Sequence, residues 1–533
     1  SSRMLKHSEG GRFYQFGERV LNGLTHGYEK VLGAVMRGWV IVLGAGLVVI
    51  GATAFVYTTL PQELAPTEDT GTVIGFAIAP EGSSPQFIDK YARQMEGLYS
   101  NIEEADRYFM IIGFPSETNA ISFVGLKDWD ERERSQGEII GSLMGPMFGG
   151  IPGVMAFPMA RPSLGQSPLS RPVEFVIQTS GSYEELQQVV GAMMGKIWTN
   201  PMFSQPDVDL KMNKPELLVT VNRDKAAAMG VDVSVIGRTL ETMMAGRDVT
   251  RFKKDGEQYN VVVQVADTDR SNPTDLINVY TRSSNGDMVQ LANLVDVEET
   301  ISAKELNHFN KLRSATIKTG LTPGYSQADA IAYLNDAFAE LTKDQSGFQV
   351  DYGGQMREFV QAGSSLMFAF GLALMFIYLV LSAQFESFRN PLLIMLSVPT
   401  AMLGALAALK LTGGSLNVYS QIGLITLVGL ITKHGILIVE FANQLQLSGK
   451  SRFDAALEAA SLRLRPILMT TAAMVLGAVP LALATGAGAE SRSQIGWTIV
   501  GGMTLGTLLT LFLVPTIYAL FAAKPKIIEG PAE

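Results

Sequence analysis

Six stretches of this 533-residue chain are apolar and long enough to cross a lipid bilayer as helices, for which about 20 such residues are needed. They cover residues 38–60, 362–384, 391–411, 418–442, 465–485 and 495–522. An ordinary soluble protein is therefore excluded, and the composition, 47% hydrophobic and only 17% charged, agrees. The long interval between the first two stretches, residues 61–361, contains no further span.

Basic residues at the ends of these stretches predict their orientation. Lysine and arginine are frequent before the first span, between the fourth and fifth, and after the last, whereas the opposite short loops carry only Lys410 and Arg492. The positive-inside rule therefore places residues 1–37 and 524–533 in the cytoplasm and residues 61–361 outside it. Because the chain begins with Ser1, without an initiator methionine or a signal peptide, we expect it to be a piece of a longer protein.

Residues 12–37 predict a basic amphipathic helix in front of the first span. Six apolar side chains recur at roughly helical spacing, with basic residues between them: Phe13, Phe16, Val20, Leu24, Val31 and Val35. A helix of this kind lies on a membrane surface. Packing against a neighbouring domain is the alternative.

The long interval predicts two related α+β subdomains. Strands near residues 72–79, 107–112, 121–129 and 154–159, with helices over 84–100 and 136–148, give the β-α-β-β-α-β order of a ferredoxin-like fold. This pattern assigns residues 61–168 to a first subdomain. The order recurs over residues 169–213 and 306–360, with strands at 173–179, 207–211, 314–320 and 348–352 and helices at 183–199 and 326–341.

An insertion, residues 214–305, interrupts the second subdomain. It predicts a separate unit with strands at 216–221, 259–265 and 277–280 and a helix at 234–244. The fold class is thus a mixed membrane protein with six transmembrane helices, two ferredoxin-like subdomains and an inserted subdomain.

Several function classes are excluded by what the sequence lacks. It contains no phosphate-binding lysine loop and no nucleophile elbow. There is no cysteine, and the four histidines are scattered without metal-ligand spacing, so no metal site and no cofactor are predicted. A net charge of −9 argues against a nucleic-acid partner. The chain is therefore not expected to be an enzyme, and any energy-requiring work it does needs an ion gradient or a partner.

Lys433 lies near the middle of the apolar stretch 418–442 and is followed by His434. A lysine at that depth costs roughly 3 kcal/mol, and such residues usually face a protein interior and take part in ion movement. Snorkelling to the membrane surface is the alternative. No span carries a central aspartate or glutamate, so the partner of this lysine is expected outside this chain.

Arg463 and Thr470 are the other polar candidates of the spans. They are two helical turns apart and share one face. Taken singly, Arg463 is also typical of an anchor at the cytoplasmic end of a span, and Thr470 of a residue that packs helices together.

Three segments carry a family resemblance: GLITKHGILIVEFANQ, LRLRPILMTTAAMVLGAVPLALATGAG and VGLKDWDER. They resemble the resistance–nodulation–division (RND) superfamily, specifically the hydrophobe/amphiphile efflux pumps of Gram-negative bacteria. The resemblance runs over essentially the whole chain and matches the C-terminal half of a tandem duplication with twelve spans. It implies a proton-driven antiporter that exports lipophilic or amphiphilic compounds from the periplasm and inner membrane.

The resemblance also implies roles for particular residues. Lys433, Arg463 and Thr470 match the proton relay, whose paired aspartates belong to the other half. His434 stands where the family has asparagine.

In the porter subdomains, Phe109, Ile111, Phe114 and Phe123 match a deep drug pocket, and Met155, Phe157 and Met159 match an outer access pocket. The loop over residues 113–119 is shorter than the switch loop of the family. Without the resemblance, these pocket residues are typical of strand core.

The implied partners are the N-terminal half of the transporter, two further copies in a homotrimer, a periplasmic adaptor protein, an outer-membrane channel, small-molecule drugs and the lipid bilayer. Residues 214–305 match the subdomain that contacts the neighbouring protomers and the outer-membrane channel assembly. Two alternatives stay open: a related exporter of lipids, proteins or metal ions, and a membrane receptor or scaffold without transport.

Overall fold

The computed structural model describes residues 12–267 and 272–522. The predicted tail 524–533 and residues 1–11 of the predicted cytoplasmic segment lie outside the described residues. The helices are α1 (Arg12–Arg37), α2 (Trp39–Thr59), α3 (Pro85–Tyr99), α4 (Gln136–Gly150), α5 (Tyr183–Thr199), α6 (Arg223–Ala228), α7 (Val233–Leu240), α8 (Gln327–Leu341), α9 (Gly354–Phe385), α10 (Arg389–Met395), α11 (Ser397–Leu411), α12 (Val418–Leu447), α13 (Arg452–Ala482) and α14 (Ala489–Phe521). The strands are β1 (Thr72–Ile78), β2 (Ala105–Ile112), β3 (Asn119–Leu126), β4 (Met155–Ala160), β5 (Val173–Thr179), β6 (Phe203–Val208), β7 (Lys214–Val221), β8 (Arg247–Lys254), β9 (Glu257–Val263), β10 (Tyr280–Arg282), β11 (Met288–Gln290), β12 (Val295–Ser302), β13 (His308–Phe309), β14 (Leu312–Leu321) and β15 (Phe348–Tyr352).

Six helical segments in the described part of the chain are long and apolar enough to cross a membrane, and they confirm the six predicted stretches. They are α2, α9, α10 joined to α11, α12, α13 and α14. Some helices continue with polar turns beyond the apolar window. α13 begins at Arg452 and not at residue 465, because the side chain of Ser451 accepts a hydrogen bond from the Asp454 amide at 3.1 Å and caps the helix there.

Small residues bring α14 close to its neighbours. A Cβ added to Gly501 would lie 2.3 Å from the Cβ of Ala408 in α11, and one on Gly496 would lie 2.2 Å from the amide nitrogen of Ala482 in α13. Membrane helices gain packing contacts where small residues let their backbones approach. α14 is therefore the helix against which α11, α12 and α13 all pack.

The predicted amphipathic helix is α1, and its buried side differs from the predicted stripe. Leu32 and Met36 are buried against α13 and α14, and the Tyr28 hydroxyl donates to the Leu511 carbonyl at 2.6 Å. Leu24 and Val31, from the predicted stripe, are 53% and 51% exposed. This helix thus packs on the membrane helices through Leu32 and Met36 and leaves Leu24 and Val31 exposed, while the side chains of Phe13, Phe16 and Val20 are outside the described ones.

Strands β1 to β4 form one antiparallel sheet with the order β2-β3-β1-β4. Helices α3 and α4 cover one face, where Ile88 and Met95 of α3 and Ile139 and Met147 of α4 pack on inward residues such as Val73. Ser84 and Ser135 cap the two helices through side chains that accept amide hydrogen bonds. The elements therefore follow in the order β-α-β-β-α-β, and α3 and α4 lie on the same face of the sheet.

A second sheet repeats this arrangement. Strand β5 pairs with β14 and β15, whereas β6 and the two-residue strand β13 both pair with β14, so the four main strands of this five-stranded sheet have the order β15-β5-β14-β6. Because β5, β6, β14 and β15 are the first to fourth strands of the repeat, both sheets share one strand order. The predicted strand 207–211 is in fact Phe203–Val208, since the Asp209 carboxylate accepts from the Thr316 amide at 2.7 Å just after the strand ends.

Residues 80–83 and 210–306 form a separate compact unit. It contains α6, α7 and three two-stranded pairs, β7 with β12, β8 with β9, and β10 with β11. Its core holds Ile236, Leu276 and Leu291 among others. The Glu81 carboxylate lies 3.2 Å from the Lys304 ammonium and 3.6 Å from that of Lys211, so short-range ion pairs hold residues 80–83 to this unit.

The predicted strand 277–280 in this unit is wrong. Residues Pro273–Asn278 form a 3-10 helix, and the strand begins only at Tyr280. Asn272 and Asp275 form a capping box at the start of that helix. Leu276 and Val279 are both buried, a spacing of three that suits one side of a 3-10 turn and not the alternating faces of a strand.

Candidate functional site

Helix α12 exposes Lys433 on its outer side. The helix is capped by Asn417, whose side chain accepts from the amides of Tyr419 and Ser420 at 3.0 and 3.1 Å. Its inner side is buried against the other helices, whereas the side that carries Lys433 is exposed. That exposed side consists of Ile422, Thr426, Gly429, Lys433 and Glu440, which recur at helical spacing.

Within the described residues, no carboxylate forms an ion pair with Lys433. The expectation that its partner lies outside this chain stays a prediction. In the chain by itself, Lys433 does not face the interior of the six-helix group, and this is a finding that the sequence did not predict.

The structure does not bring the three predicted relay residues into contact. Over the described part of the chain, no hydrogen bond or ion pair joins Lys433 to Arg463 or Thr470. The Arg463 guanidinium lies 4.7 Å from the ring centroid of Phe441, and its Nε is buried without a hydrogen-bond partner. The Thr470 hydroxyl donates within its own helix, to the carbonyls of Pro466 and Ile467 at 3.0 Å.

His434, the residue after Lys433, takes part in a buried polar contact that joins helices α12, α13 and α14. The Thr471 hydroxyl is 3.3 Å from Nε2 of His434, the Thr507 hydroxyl is 3.3 Å from Nδ1, and the two hydroxyls are 3.2 Å apart. His434 has no exposed surface. The sequence singled out His434 but missed Thr471 and Thr507. Consecutive side chains of an α-helix point about 100° apart, so Thr471 faces inward although the preceding residue, Thr470, does not.

The six predicted pocket residues on strands share one face of the first sheet. Phe109 pairs with Phe123 across β2 and β3, and Ile111 pairs with Ile121. Along β4, Met155, Phe157 and Met159 pair with alternate residues of β1. Opposed residues of antiparallel strands point to the same side, so all six lie on the face opposite to the one that α3 and α4 cover.

This second face of the sheet is apolar, buried at its centre and exposed at its edge. Phe157 is buried and stacks on Phe76, with ring centroids 5.5 Å apart. Ile111, Phe123, Met155 and Met159 are partly buried around it. Phe109 is 63% exposed at the edge of the sheet, and Phe114, in the loop after β2, is 47% exposed. The structure therefore groups the strand residues of both predicted pockets on one surface.

A cavity of about 490 Å³ opens at one end of this surface. Phe157 and Met159 of β4 line it, together with Gln136 at the start of α4 and the segment 64–69 that follows α2. Residues of the second sheet, among them Leu321, and Glu490 at the start of α14 complete the wall. The cavity therefore lies where both sheets meet the ends of the membrane helices.

Asp69 holds the segment 64–69 in place. Its carboxylate accepts from the Arg132 guanidinium at 3.1 and 3.2 Å, the Gln136 amide at 2.9 Å, the Gly71 amide at 3.0 Å and the Trp129 indole at 3.2 Å. Burial raises the pKa of Asp69, but the hydrogen bonds from Gln136, Arg132 and Gly71 outweigh it and hold the pKa below its ordinary value. The Asp69 carboxylate is therefore ionised at neutral pH, and both of its oxygens accept hydrogen bonds from within the protein.

A second polar contact ties the exit of α2 to the ends of α12 and α14. The Ser415 hydroxyl donates to Glu63, and the Asn417 side-chain amide donates to the side-chain oxygen of Gln494 in α14. The pKa of Glu63 is raised by burial, and the Ser415 hydrogen bond offsets part of this rise. A movement of α12 or α14 would therefore act directly, through these hydrogen bonds, on the segment that leads from α2 into the first sheet.

Known proteins match nearly the whole chain. Residues 1–522 match the model of the AcrB/AcrD/AcrF family. A Haemophilus influenzae protein named as an uncharacterized transporter is 36% identical over 519 residues, which are 96% of this chain and 50% of that protein.

Two further relatives have functional names. A Pseudomonas putida multidrug/solvent efflux pump membrane transporter, MepB, is 31% identical over 97% of this chain and 50% of its own length. The Escherichia coli multidrug export protein AcrF is 29% identical over 96% of this chain and 50% of its length. The chain thus spans about half the length of the relatives it matches.

Proposed function

The chain belongs to the AcrB/AcrD/AcrF family of RND transporters, and we propose that it works as the C-terminal half of a proton-driven multidrug efflux pump. Its relatives are about twice as long, which supports a partner half of similar size. The names of the Pseudomonas putida and Escherichia coli relatives support multidrug or solvent export. The mechanism rests on this chain's own residues.

The exposed position of Lys433 is the observation that carries the proposal. Left against lipid, the lysine would cost roughly 3 kcal/mol. The same side of α12 carries Thr426, Gly429 and Glu440, which suit contact with protein better than contact with acyl chains. We therefore propose that helices of the other half cover this side and supply carboxylates to Lys433.

Proton binding at that junction would change the charge that Lys433 faces. One proton that crosses the membrane yields about 2.3 kcal/mol per 100 mV. In the proposal, Lys433, Arg463 and Thr470 form this chain's part of the relay. The contact of His434 with Thr471 and Thr507 then transmits a shift of α12 to α13 and α14, because it joins the three helices.

Substrate is proposed to bind in the β-rich portion. The two sheets, residues 61–168 and residues 169–213 with 306–360, share the strand order of ferredoxin-like folds and would be porter subdomains. The face of the first sheet that carries Phe109, Ile111, Phe123, Met155, Phe157 and Met159, with Phe114 beside it, would contact drugs. Methionine and aromatic side chains suit varied apolar ligands.

The remaining assignments concern location and assembly. The chain would lie in the Gram-negative inner membrane with its β-rich portion in the periplasm. It would work as a homotrimer with a periplasmic adaptor protein and an outer-membrane channel. The unit that contains residues 214–305 would be the docking subdomain.

The test replaces Lys433→Ala in the full-length transporter, expressed in a strain that lacks its own efflux pumps. We expect loss of dye export with unchanged protein level and assembly, because the relay loses its cation. Lys450→Ala is the matched control, since Lys450 is an exposed lysine that pairs with Glu458 outside the spans. Normal export by the Lys433 variant would overturn the relay assignment. A complete pump that exports none of the tested drugs would instead favour a lipid or metal exporter, or a receptor.

A further inference from the structure

Two large aromatic side chains are exposed at one end of the subdomain that contains the second sheet. Trp198, in the last turn of α5, is 55% exposed, and Tyr325, just before α8, is 42% exposed. The loops beside them are joined, because Thr322 donates through its hydroxyl to the Pro201 carbonyl at 2.8 Å and through its amide to the Met202 carbonyl at 2.9 Å. The two aromatic residues therefore lie at the same end of the subdomain, and we call this pair the aromatic base.

This end of the subdomain contacts the segment that leaves α2. The Ala328 amide donates to the Gln62 carbonyl at 3.4 Å, and the side-chain oxygen of Gln327 accepts from the Leu64 amide at 2.8 Å. Gln62 also forms a parallel β-bridge with Leu416, which lies just before α12. The start of α8 therefore lies directly beside the ends of two membrane spans.

The length of α2 sets the level of this contact relative to the bilayer. Its 21 residues extend over about 31 Å at 1.5 Å per residue, which matches the hydrocarbon thickness of about 30 Å. Because α2 ends at Thr59, Gln62 falls in the headgroup region, which is roughly 5–7 Å deep on each side. Tyr325 precedes Ala328 by three residues, a distance of at most about 11 Å. Its side chain is therefore within reach of the lipid headgroups.

The spans themselves carry aromatic residues at this level. Tyr57 lies in the last turn of α2, and Tyr419 is the second residue of α12. The positive-inside rule places both of these helix ends on the side away from the cytoplasm. Tryptophan and tyrosine are enriched at membrane–water interfaces, where the ring is in apolar surroundings and its polar atom reaches water. Trp198 and Tyr325 extend this group of aromatic residues from the spans to the β-rich portion.

The charged groups beside the aromatic base are engaged within the protein. Lys196 and Asp329 are the charged residues of the two flanking segments. The Lys196 ammonium lies 2.7 Å from the Glu340 carboxylate. The Asp329 carboxylate accepts from the amide and the hydroxyl of Ser326 at 3.0 and 2.7 Å in the cap of α8. Contact with a bilayer would therefore depend on the aromatic rings and not on attraction to charged headgroups.

We propose that Trp198 and Tyr325 anchor the subdomain of the second sheet to the outer leaflet of the inner membrane. The two rings lie at the level of the headgroups and the upper acyl chains, and the indole N–H and the phenol hydroxyl face headgroup oxygens and water. The partner of the aromatic base is thus a lipid surface, whatever the charge of its headgroups. This inference goes beyond transport, but it rests on the proposed location of the β-rich portion outside the cytoplasm.

The test places a bimane fluorophore at Thr199→Cys in the full-length transporter, with any cysteine of the other half replaced by serine. Thr199 is exposed beside Trp198, and this chain contains no cysteine. The pump is reconstituted in phosphatidylcholine vesicles, in which part of the lipid carries a nitroxide at the top of the acyl chain. We expect the nitroxide lipid to quench the bimane at residue 199. Bimane at Lys343→Cys, which is exposed just beyond the opposite end of α8, is the control and should not be quenched.

The contribution of the two rings is measured with the same probe at residue 199. Trp198→Ser together with Tyr325→Ser should reduce the quenching at least about twofold, because serine has no preference for the interface. Trp198→Tyr together with Tyr325→Trp keeps two interfacial aromatic residues and should retain most of the quenching. Added salt should leave the quenching unchanged, since the proposed contact is not electrostatic.

Quenching at residue 199 that is no stronger than at residue 343 would overturn the inference, because protein or water would then cover the aromatic base. Unchanged quenching in the double serine variant, or loss of quenching in added salt, would overturn it as well. If the double serine variant does not purify as a folded pump, the comparison of the two probe positions still decides. The measurement needs neither drug nor proton gradient, so its failure is distinguishable from failure of the export test on Lys433.

Discussion

Two adjacent residues of α12 have opposite environments. Lys433 is exposed on the outer side, whereas His434 is fully buried and lies within 3.3 Å of hydroxyls from two other helices. A turn of about 100° per residue separates the two side chains. The sequence could mark both residues as polar groups in an apolar stretch. It could not tell which faced inward, because that depends on where the neighbouring helices pack.

The Glu104–Arg134 pair predicts a pH-dependent stability. The guanidinium donates to both carboxylate oxygens at 2.7 and 2.6 Å, and this lowers the pKa of Glu104 to about 2. Since the folded pKa lies below the unfolded one, the pair stabilises the fold above pH 4 to 5 and loses its contribution as the pH falls toward 2.

Glu104→Gln should therefore reduce the free energy of unfolding by roughly 1–2 kcal/mol near pH 7, because a charged, paired hydrogen bond is lost. Thermal unfolding of wild type and variant between pH 7 and pH 3.5 checks this. The difference in melting temperature should narrow below about pH 5. A difference that stayed constant over this range would show that the charge of Glu104 is unimportant.

At the scale of elements, local patterns predicted most helices and strands. The strands at 173–179 and 348–352 and the helix at 183–199 were predicted with the observed bounds. The hydrophobic spacing of these three elements, and the capping residue of the helix, indicate the same bounds. The 3-10 helix Pro273–Asn278 was missed because residues 277–280, with the sequence INVY, are rich in strand-forming types, while the Asn272–Asp275 capping box favours a helical turn.

The contact between α11 and α14 should tolerate no added volume. Gly501→Ala would place a methyl group 2.3 Å from the Cβ of Ala408, and we expect roughly 1–3 kcal/mol of destabilisation from overpacking. The matched control is Gly363→Ala in α9, where nothing lies within 4 Å of the added Cβ. Thermal unfolding in detergent should show a lower melting temperature for Gly501→Ala alone. Equal effects of the two substitutions would contradict the packing described for α14.

At the scale of the whole molecule, the residue patterns and the family resemblance led to different parts of the structural and functional interpretation. Apolar length predicted the six spans, and the missing carboxylate in those spans predicted an external partner for Lys433. The grouping of Phe109, Ile111 and Phe123 with Met155, Phe157 and Met159 on one face follows from strand register, which joins residues far apart in the chain. The drug-pocket roles of these residues came from the resemblance alone.

Residues that complete the cavity were not predictable from the sequence. Gln136 and Glu490 are separated by most of the chain and line the same cavity only because the first sheet and α14 are folded together. Neither belongs to a motif, and a lone glutamine or glutamate is ordinarily a surface residue. Gln136 Nε2 and Glu490 Oε2 are buried without a hydrogen-bond partner in the described part of the protein, and this is visible only once burial and hydrogen bonding are known.

Proton movement through Lys433 is the central claim, and its most direct test uses the full-length pump in proteoliposomes that enclose a pH-sensitive dye. With a proton gradient imposed, addition of an exported drug should accelerate proton flux in wild type. The Lys433→Ala pump should give no such acceleration, and neither should the 533-residue chain reconstituted alone. Drug-dependent proton flux through the Lys433 variant, or through this chain by itself, would contradict the account.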